Sequence, residues 1–219
     1  MILNINKPEG MTSHDVVDEI RKITKEQRVG HAGTLDPFAT GVLVIGVGRE
    51  DTKKLGEITK NTEKEYIATL ELGKRSTTGD PEGIIKPAGN NLVRPSYPQL
   101  GQTKKILKSF EGETEQIPPS YSAIKVKGVP AYKLARRGKN VVLPSRKVQI
   151  YKIEVLKYSP PLLKIQVVCS AGTYIRSLAK DIGEKLGIGA YLTQLKRTRV
   201  GNFRIEDSTP LAKLRLSKL

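Results

Sequence analysis

The run Gly30-His31-Ala32-Gly33-Thr34-Leu35-Asp36-Pro37-Phe38-Ala39-Thr40-Gly41 passes directly into the apolar segment Val42-Leu43-Val44-Ile45. That segment has no polar position to mark a solvent face, so residues 42–47 read as a strand buried on both sides. The residues before it read as a tight loop. Pro37 biases Asp36 away from the helical region toward extended backbone, and Gly30, Gly33 and Gly41 permit positive φ or the close approach of another backbone. A lone carboxylate in a rigid loop beside a buried strand suits a nucleophile or an acid/base group. The same residues suit a plain turn, because Asp before Pro is common there. By themselves these twelve residues leave both readings standing.

Working outward, residues 2–6 read as a short strand. Thr12 or Ser13 then offers a helix cap, with Val16, Ile20 and Ile23 on one helical face. Residues 50–60 read as a helix, and Tyr66, Ala68, Leu70 and Leu72 share one face of an alternating strand. Residues 76–91, rich in Gly, Pro, Thr and Asp, read as a loop. A helix follows from near Pro98, with Leu100, Thr103, Leu107 and Phe110 in register. Residues 116–140 are basic and turn-rich, and Lys125-Val126-Lys127-Gly128 marks an exposed turn. Strands are predicted over 148–158 and 162–169. The helix over 173–186 carries Ile175, Leu178, Ala179, Ile182 and Leu186 on its apolar face and closes at Gly187. A strand pair over 191–205 and a short helix from Pro210 complete the chain. Many strands with a few interspersed helices give an α+β domain. No internal repeat or low-complexity linker divides the 219 residues, which read as one domain, 1–219, with a basic insertion at about 116–140.

The formal net charge of +16 favours a polyanionic partner. The cations occur in short clusters such as Lys104-Lys105, Arg136-Arg137 and Lys196-Arg197, a distribution expected of a folded surface rather than a tail. One cysteine, Cys169, excludes an intramolecular disulfide and sits in an alternating apolar strand, as a core residue would. Two histidines and one cysteine, widely spaced, provide no zinc-ligand set, and no apolar run reaches the roughly 18 residues of a membrane span. Gly73-Lys74-Arg75-Ser76 lacks the leading glycine of a phosphate-binding loop, because Ala68 stands there. The run Gly46-Val47-Gly48 breaks the dinucleotide fingerprint at Asp51. The expectation is a cytoplasmic protein with no metal and no nucleotide cofactor.

Several segments, in order, resemble the TruB family of tRNA pseudouridine synthases. The Asp36 run is similar to that family's catalytic signature, and Asn6-Lys7-Pro8-Glu9-Gly10-Met11-Thr12-Ser13 to its N-terminal motif. Lys64-Glu65-Tyr66 is similar to its Lys-x-Tyr strand, and Pro118-Pro119-Ser120-Tyr121-Ser122-Ala123-Ile124-Lys125 to the start of its RNA-contacting insertion. Gly172-Thr173-Tyr174-Ile175-Arg176-Ser177-Leu178 and Leu195-Lys196-Arg197-Thr198 are similar to its C-terminal motifs. The resemblance implies a mixed, mainly antiparallel sheet core of the pseudouridine synthase type with flanking helices. It also implies a cofactor-independent isomerase acting on the T-loop uridine of tRNA, conventionally position 55. Members of the family usually continue into a small C-terminal RNA-binding domain. The stop at Leu219 predicts its absence, so that recognition of the T-arm rests on the catalytic domain and its basic insertion; a monomer is expected.

The resemblance makes Asp36 the nucleophile. Arg176 lies in the first turn of its helix, where the helix dipole opposes a cation and calls for an anionic neighbour. The resemblance assigns that role to Asp36, against a phosphate or solvent from position alone. Tyr66 falls on an apolar strand face, as a core tyrosine would, and the resemblance places it against the flipped uracil. His31 is either an ordinary loop histidine or, as the resemblance implies, a group that fills the space the flipped nucleotide leaves. Tyr174 is expected to stack or to shape the pocket, and Lys125, Lys127, Arg136 and Arg137 are expected to contact RNA. Lys7 and Pro8 read as structural support. Two other readings accompany this one: a non-catalytic RNA-binding or RNA-folding module on the same scaffold, and a guide-RNA-dependent relative. A binding module has no need of Asp36, Tyr66 and Arg176 together.

Overall fold

Strand residues 42–47 occupy the middle of the first of two units into which the chain divides, and their alternate side chains enter two different cores. The computed structural model describes residues 1–60, 62–89, 96–139 and 141–216. The first unit comprises Met1–Ile67, Gln166–Gly172 and Gln194–Leu219, and the second comprises Ala68–Ile165 and Thr173–Thr193.

In chain order the elements begin with β1 (Ile2–Lys7), α1 (Ser13–Thr24), β2 (Val29–Ala32), β3 (Thr40–Val47), α2 (Arg49–Lys60) and β4 (Lys64–Leu72). Then come β5 (Lys74–Ser76), β6 (Ile85–Pro87), α3 (Leu100–Lys108), β7 (Gly112–Gln116), β8 (Lys125–Val126), β9 (Val129–Pro130) and α4 (Ala131–Arg136). The chain ends with β10 (Arg146–Ser159), β11 (Leu162–Cys169), α5 (Ile175–Lys185), β12 (Ala190–Val200), β13 (Phe203–Arg204), β14 (Thr209–Pro210) and α6 (Leu211–Leu216). The architecture is α+β with a mixed, mainly antiparallel sheet.

In the first unit β3 pairs antiparallel with β1 and β2 and parallel with β12, and β14 adds to β1 in parallel. Leu43, Ile45 and Val47 pack with Val16, Val17 and Ile20 of α1 and with Leu211 and Leu214 of α6. Val42 and Val44 face the other way, onto Leu55 of α2 and Val200 of β12. A period of two along an all-apolar strand thus supplies two cores at once, and each fully buried Leu or Ile contributes roughly 1.5–3 kcal/mol. The cap of α1 is Thr12, not Ser13. Asp15, three residues on, completes a capping box, its Oδ2 accepting from Thr12 N at 2.7 Å while Thr12 Oγ1 accepts from Asp15 N at 3.0 Å.

The second unit holds β7 against β10 in antiparallel register, from Arg146 opposite Gln116 to Ile150 opposite Gly112. The turn predicted at Lys127-Gly128 joins β8 to β9, with φ of 48° and 83° at its two residues, as a two-residue hairpin with primed geometry requires. Gly187, φ 75°, closes α5, and Ile188 N donates back to Gly183 O at 3.2 Å.

Three sequence expectations change. Residues 29–32 belong to a strand, so His31 sits opposite Ile45 in β2 and not in the loop proper. Gly30 and Gly33 flank it closely enough to hide the strand from composition alone. Pro210 ends β14, and the last helix begins at Leu211. The loop read over 76–91 contains β6, paired with β5; its last two residues, 90 and 91, lie outside the described residues, as does Asn140 at the end of the insertion.

Candidate active site

Asp36 opens a β-turn, with Ala39 N donating to Asp36 O at 3.1 Å, so the plain-turn reading of this segment is correct as geometry. The turn is also braced on both sides of the aspartate by the N-terminal motif. Ser13 Oγ, buried, accepts from Leu35 N at 2.8 Å and donates to Leu35 O at 3.1 Å. Gly10 N donates to Pro37 O at 2.9 Å, and Lys7 Nζ donates to the same oxygen at 3.1 Å as well as to Pro8 O at 2.8 Å. One segment therefore fixes the backbone immediately before and immediately after Asp36. A turn needs no such bracing; a reactive carboxylate with a required direction does.

Lys7 is completely buried, and burial lowers its pKa to about 8, with the nearby Asp36 carboxylate acting in the opposite sense. Lys64 at the start of β4 is similar, buried, donating to Thr59 O at 3.1 Å and lowered to about 8 by burial and then by Arg197. Tyr66, two residues along the same strand face, is 6 % exposed. Burial raises its hydroxyl pKa, and the positive charge of Arg197 opposes that. Tyr66 therefore carries its proton at neutral pH. His31 is held toward its neutral form by burial and by Arg197, and its buried Nδ1 has no hydrogen-bond partner among the described residues.

The two buried lysines make a pH-dependence prediction. In the unfolded chain they titrate near their ordinary 10.5, and in the folded chain near 8. Between those values the unfolded state binds more protons, so their contribution to stability rises as pH climbs through that window. Urea unfolding at pH 7.5 and 9.5 should show a gain in midpoint that shrinks in Lys64→Met; an identical gain in both proteins would remove Lys64 as its source.

In the second unit, Arg176 is buried at the start of α5. Its Nη1 lies 3.0 Å from Asp80 Oδ2 and donates to Thr78 O at 3.2 Å, and its Nη2 donates to Tyr121 O at 2.6 Å. A buried carboxylate, Asp80, itself 3 % exposed, thus lies beside the guanidinium. Tyr174 caps α5, and its backbone N and O exchange two hydrogen bonds with the buried Gln116 side chain, at 2.7 and 3.1 Å. Ser177 Oγ donates to Ile117 O at 2.7 Å. The insertion therefore begins on a rigid footing. Beyond it Lys125, Lys127, Arg136 and Arg137 are exposed and, among the described residues, form no ion pairs; Arg136 lies 5.7 Å above the Tyr132 ring. Cations left unpaired on a basic, turn-rich segment are available to phosphates.

Residues 21–175 match the family described as TruB family pseudouridylate synthase (N terminal domain), and residues 176–218 match the tRNA pseudouridylate synthase B C-terminal domain. The chain belongs to the TruB family. It is 47 % identical over 211 residues to tRNA pseudouridine synthase B of Clostridium tetani, covering 96 % of this chain and 71 % of that protein. With the Dehalococcoides mccartyi protein of the same name it shares 45 % over 217 residues, covering 99 % and 70 %. Among solved structures it is similar to the Cbf5 chain of a Cbf5-Nop10-Gar1 complex, with TM-score 0.73 and 32 % identity. An archaeal box H/ACA sRNP Nop10-Cbf5 complex gives TM-score 0.70 and 28 % identity. The chain spans about half of those two chains, 52 % of each, and 96 % and 97 % of its own length is covered.

Sequence reasoning singled out Asp36, Tyr66, Arg176 and His31, gave no role to Arg197, Lys64 or Asp80, and read Ser13 only as a helix-cap candidate. Arg197 and Lys64 carried a usable signal. Each occupies the apolar face of an alternating TruB strand, Arg197 in line with Leu195 and Lys64 in line with Tyr66. A cation on an inward position needs a reason. Asp80 carried none beyond an Asp-Pro pair in a loop.

Proposed function

We propose that this chain converts uridine to pseudouridine in the T-loop of tRNA, at position 55, in the cytoplasm and as a monomer, without a cofactor. The observation that carries the reading is the braced carboxylate: the Asp36 loop is held on both sides of the aspartate, in the same unit as a buried Tyr66. The names borne by relatives 44–47 % identical over almost the whole chain support it. Those relatives are nearer than the Cbf5 chains, so the guide-RNA-dependent alternative is the weaker reading.

The reaction breaks the bond between C1′ and N1 and makes one between C1′ and C5; the C5 proton leaves and N1 gains one. The ribose carbon is the electrophile and the base the leaving group, as in glycoside cleavage. Asp36 adds to the sugar or stabilises its cationic character while the base turns, and Tyr66 supplies the flat wall against which the extruded uracil rests. His31 occupies the space the nucleotide leaves. Arg176 supports the carboxylate chemistry from its motif at the head of α5. Incubating the protein with a T-arm stem-loop transcript and mapping pseudouridine by chemical blocking and primer extension tests the reading; an unmodified transcript refutes it.

Two further results are expected. Arg176→Lys should lower the single-turnover rate more than it lowers affinity, because lysine keeps the charge but loses the planar fork that engages Asp80 and the Tyr121 carbonyl together. Weakened binding with an unchanged chemical step would make Arg176 a phosphate contact instead. Replacing Arg136 and Arg137 together by Ala should weaken RNA binding and reduce the slope of log affinity against log salt by about two. The modified position should not move, which primer extension on the same RNA reads directly.

A further inference from the structure

The hairpin β5–β6 has strands of only three residues, largely exposed, and pairing that short cannot by itself hold a buried carboxylate in one direction. Its connecting turn, residues 77–84, nonetheless sets Asp80 against the Arg176 guanidinium. The turn does so with side chains. Asp80 Oδ2 accepts from Arg176 Nη1 at 3.0 Å, while Oδ1 accepts from Thr78 Oγ1 at 2.5 Å and from Glu82 N at 3.0 Å. Thr78 also meets the guanidinium directly, its carbonyl accepting from the same Nη1 at 3.2 Å. Behind it, Ser76 Oγ donates to Asp80 O at 2.6 Å and accepts from Thr78 N at 3.3 Å, which closes the turn on itself. A glycine keeps the space between these hydroxyls: a Cβ on Gly83 would lie 2.4 Å from Ser76 Oγ, 2.4 Å from Thr78 Oγ1 and 2.7 Å from Thr78 N.

We infer that Thr78 is a positioning residue for the reaction, aiming the Arg176 guanidinium through the Asp80 carboxylate. The inference rests on the reading of Arg176 as part of the catalytic site. The last torsion of an aspartate is broad, so a carboxylate bonded through one oxygen can still swing. A donor fixed on its second oxygen removes that freedom, and Thr78 Oγ1 is such a donor. Because the Thr78 carbonyl takes a bond from the same Nη1, one residue holds carboxylate and guanidinium as a unit. Tyr121 O fixes the other arm of the fork, at 2.6 Å from Nη2. An ordinary Asx-turn is complete with the Glu82 N bond alone and needs neither the Thr78 hydroxyl nor a buried cation.

The test uses the full chain, a T-arm stem-loop and ¹⁵N-labelled arginine, and compares wild type with Thr78→Val and Thr78→Ser. Valine keeps the shape and removes the hydroxyl; serine keeps the hydroxyl. In Thr78→Val the Arg176 guanidinium resonances should move and the single-turnover rate should fall about tenfold, the scale of one hydrogen bond to a charged group. Equilibrium affinity for the stem-loop should stay within about twofold, as for an interaction that matters only to the chemical step. Thr78→Ser should restore the resonances and most of the rate. A lower rate with unmoved Arg176 resonances overturns the inference, since Thr78 would then act without orienting the guanidinium. Lost affinity with an unchanged rate overturns it as well, and so does a rate that serine fails to restore. If Thr78→Val does not fold, Gly83→Ala carries the test: the displaced Thr78 should move the Arg176 resonances and lower the rate, and a wild-type value of either refutes the inference. A wild type that makes no pseudouridine ends the proposed function and this inference with it; an active wild type matched in rate by Thr78→Val ends this inference alone.

Discussion

Asp36→Asn is expected to abolish pseudouridine formation while leaving the RNA complex intact. The amide is nearly the same size as the carboxylate but is a far weaker nucleophile, and it cannot carry the negative charge that balances a cationic sugar. A loss on the order of 10⁴-fold in single-turnover rate, about 5.5 kcal/mol of barrier, is the expected scale. The loop itself should survive. The turn is closed by the Asp36 carbonyl, and Ser13, Gly10 and Lys7 hold its neighbours through the backbone of Leu35 and Pro37. Thermal unfolding of the variant should therefore stay close to wild type, and its affinity for a T-arm stem-loop should change only a few-fold. Comparable single-turnover rates in variant and wild type would end the nucleophile assignment.

Gly41→Ala should produce the largest loss of stability of any single methyl group added to the Asp36 run. Gly41 has φ of 102°, and a Cβ built there would lie 2.2 Å from Arg197 O and 2.9 Å from Arg197 C and N. All three are backbone atoms of a strand paired with Gly41 itself, so neither side can give way without breaking the β3–β12 register. Positive φ strain alone costs about 1–3 kcal/mol, and the overlap brings the expected total to roughly 3–5 kcal/mol. For a chain of this length that is a fall in melting temperature of roughly 10 °C. Catalysis should suffer with it, because the displaced atoms belong to Arg197 and to the exit of the Asp36 loop. A melting temperature within about 2 °C of wild type would show that the strand pair is looser than its register implies.

Local and periodic features of this protein were legible without coordinates. The β3 strand, the α2 and α5 helices, the Gly187 stop, the Lys127-Gly128 turn and the bounds of β11 all follow from short-range patterns that the fold then respects. Very short strands were not legible. Residues 29–32, 85–87 and 209–210 form strands because a partner is available, β3, β5 and β1 respectively. Their own residues show no clear alternation over two to four positions, so there was no period to read.

The candidate site divides along the same line. From the sequence alone came a carboxylate in a Pro- and Gly-bounded loop, a tyrosine on an inward strand face, an arginine in a first helical turn and a basic insertion, together with the order of motifs that points to the TruB family. Residue type, spacing and dipole direction are properties of the chain itself, and they suffice to nominate Asp36, Tyr66 and Arg176. Apart from Lys7, which the sequence already marks as structural support, the residues that hold those groups in place came only from the tertiary structure. Ser13 and Lys7 reach the Asp36 loop across more than twenty residues, Asp80 meets Arg176 across 96, and Arg197 reaches Gly33 across 164. A hydrogen bond between residues so far apart leaves no mark on local composition. It exists because burial forces each polar atom to find a partner, and which partner is nearest is decided by how the strands and helices pack.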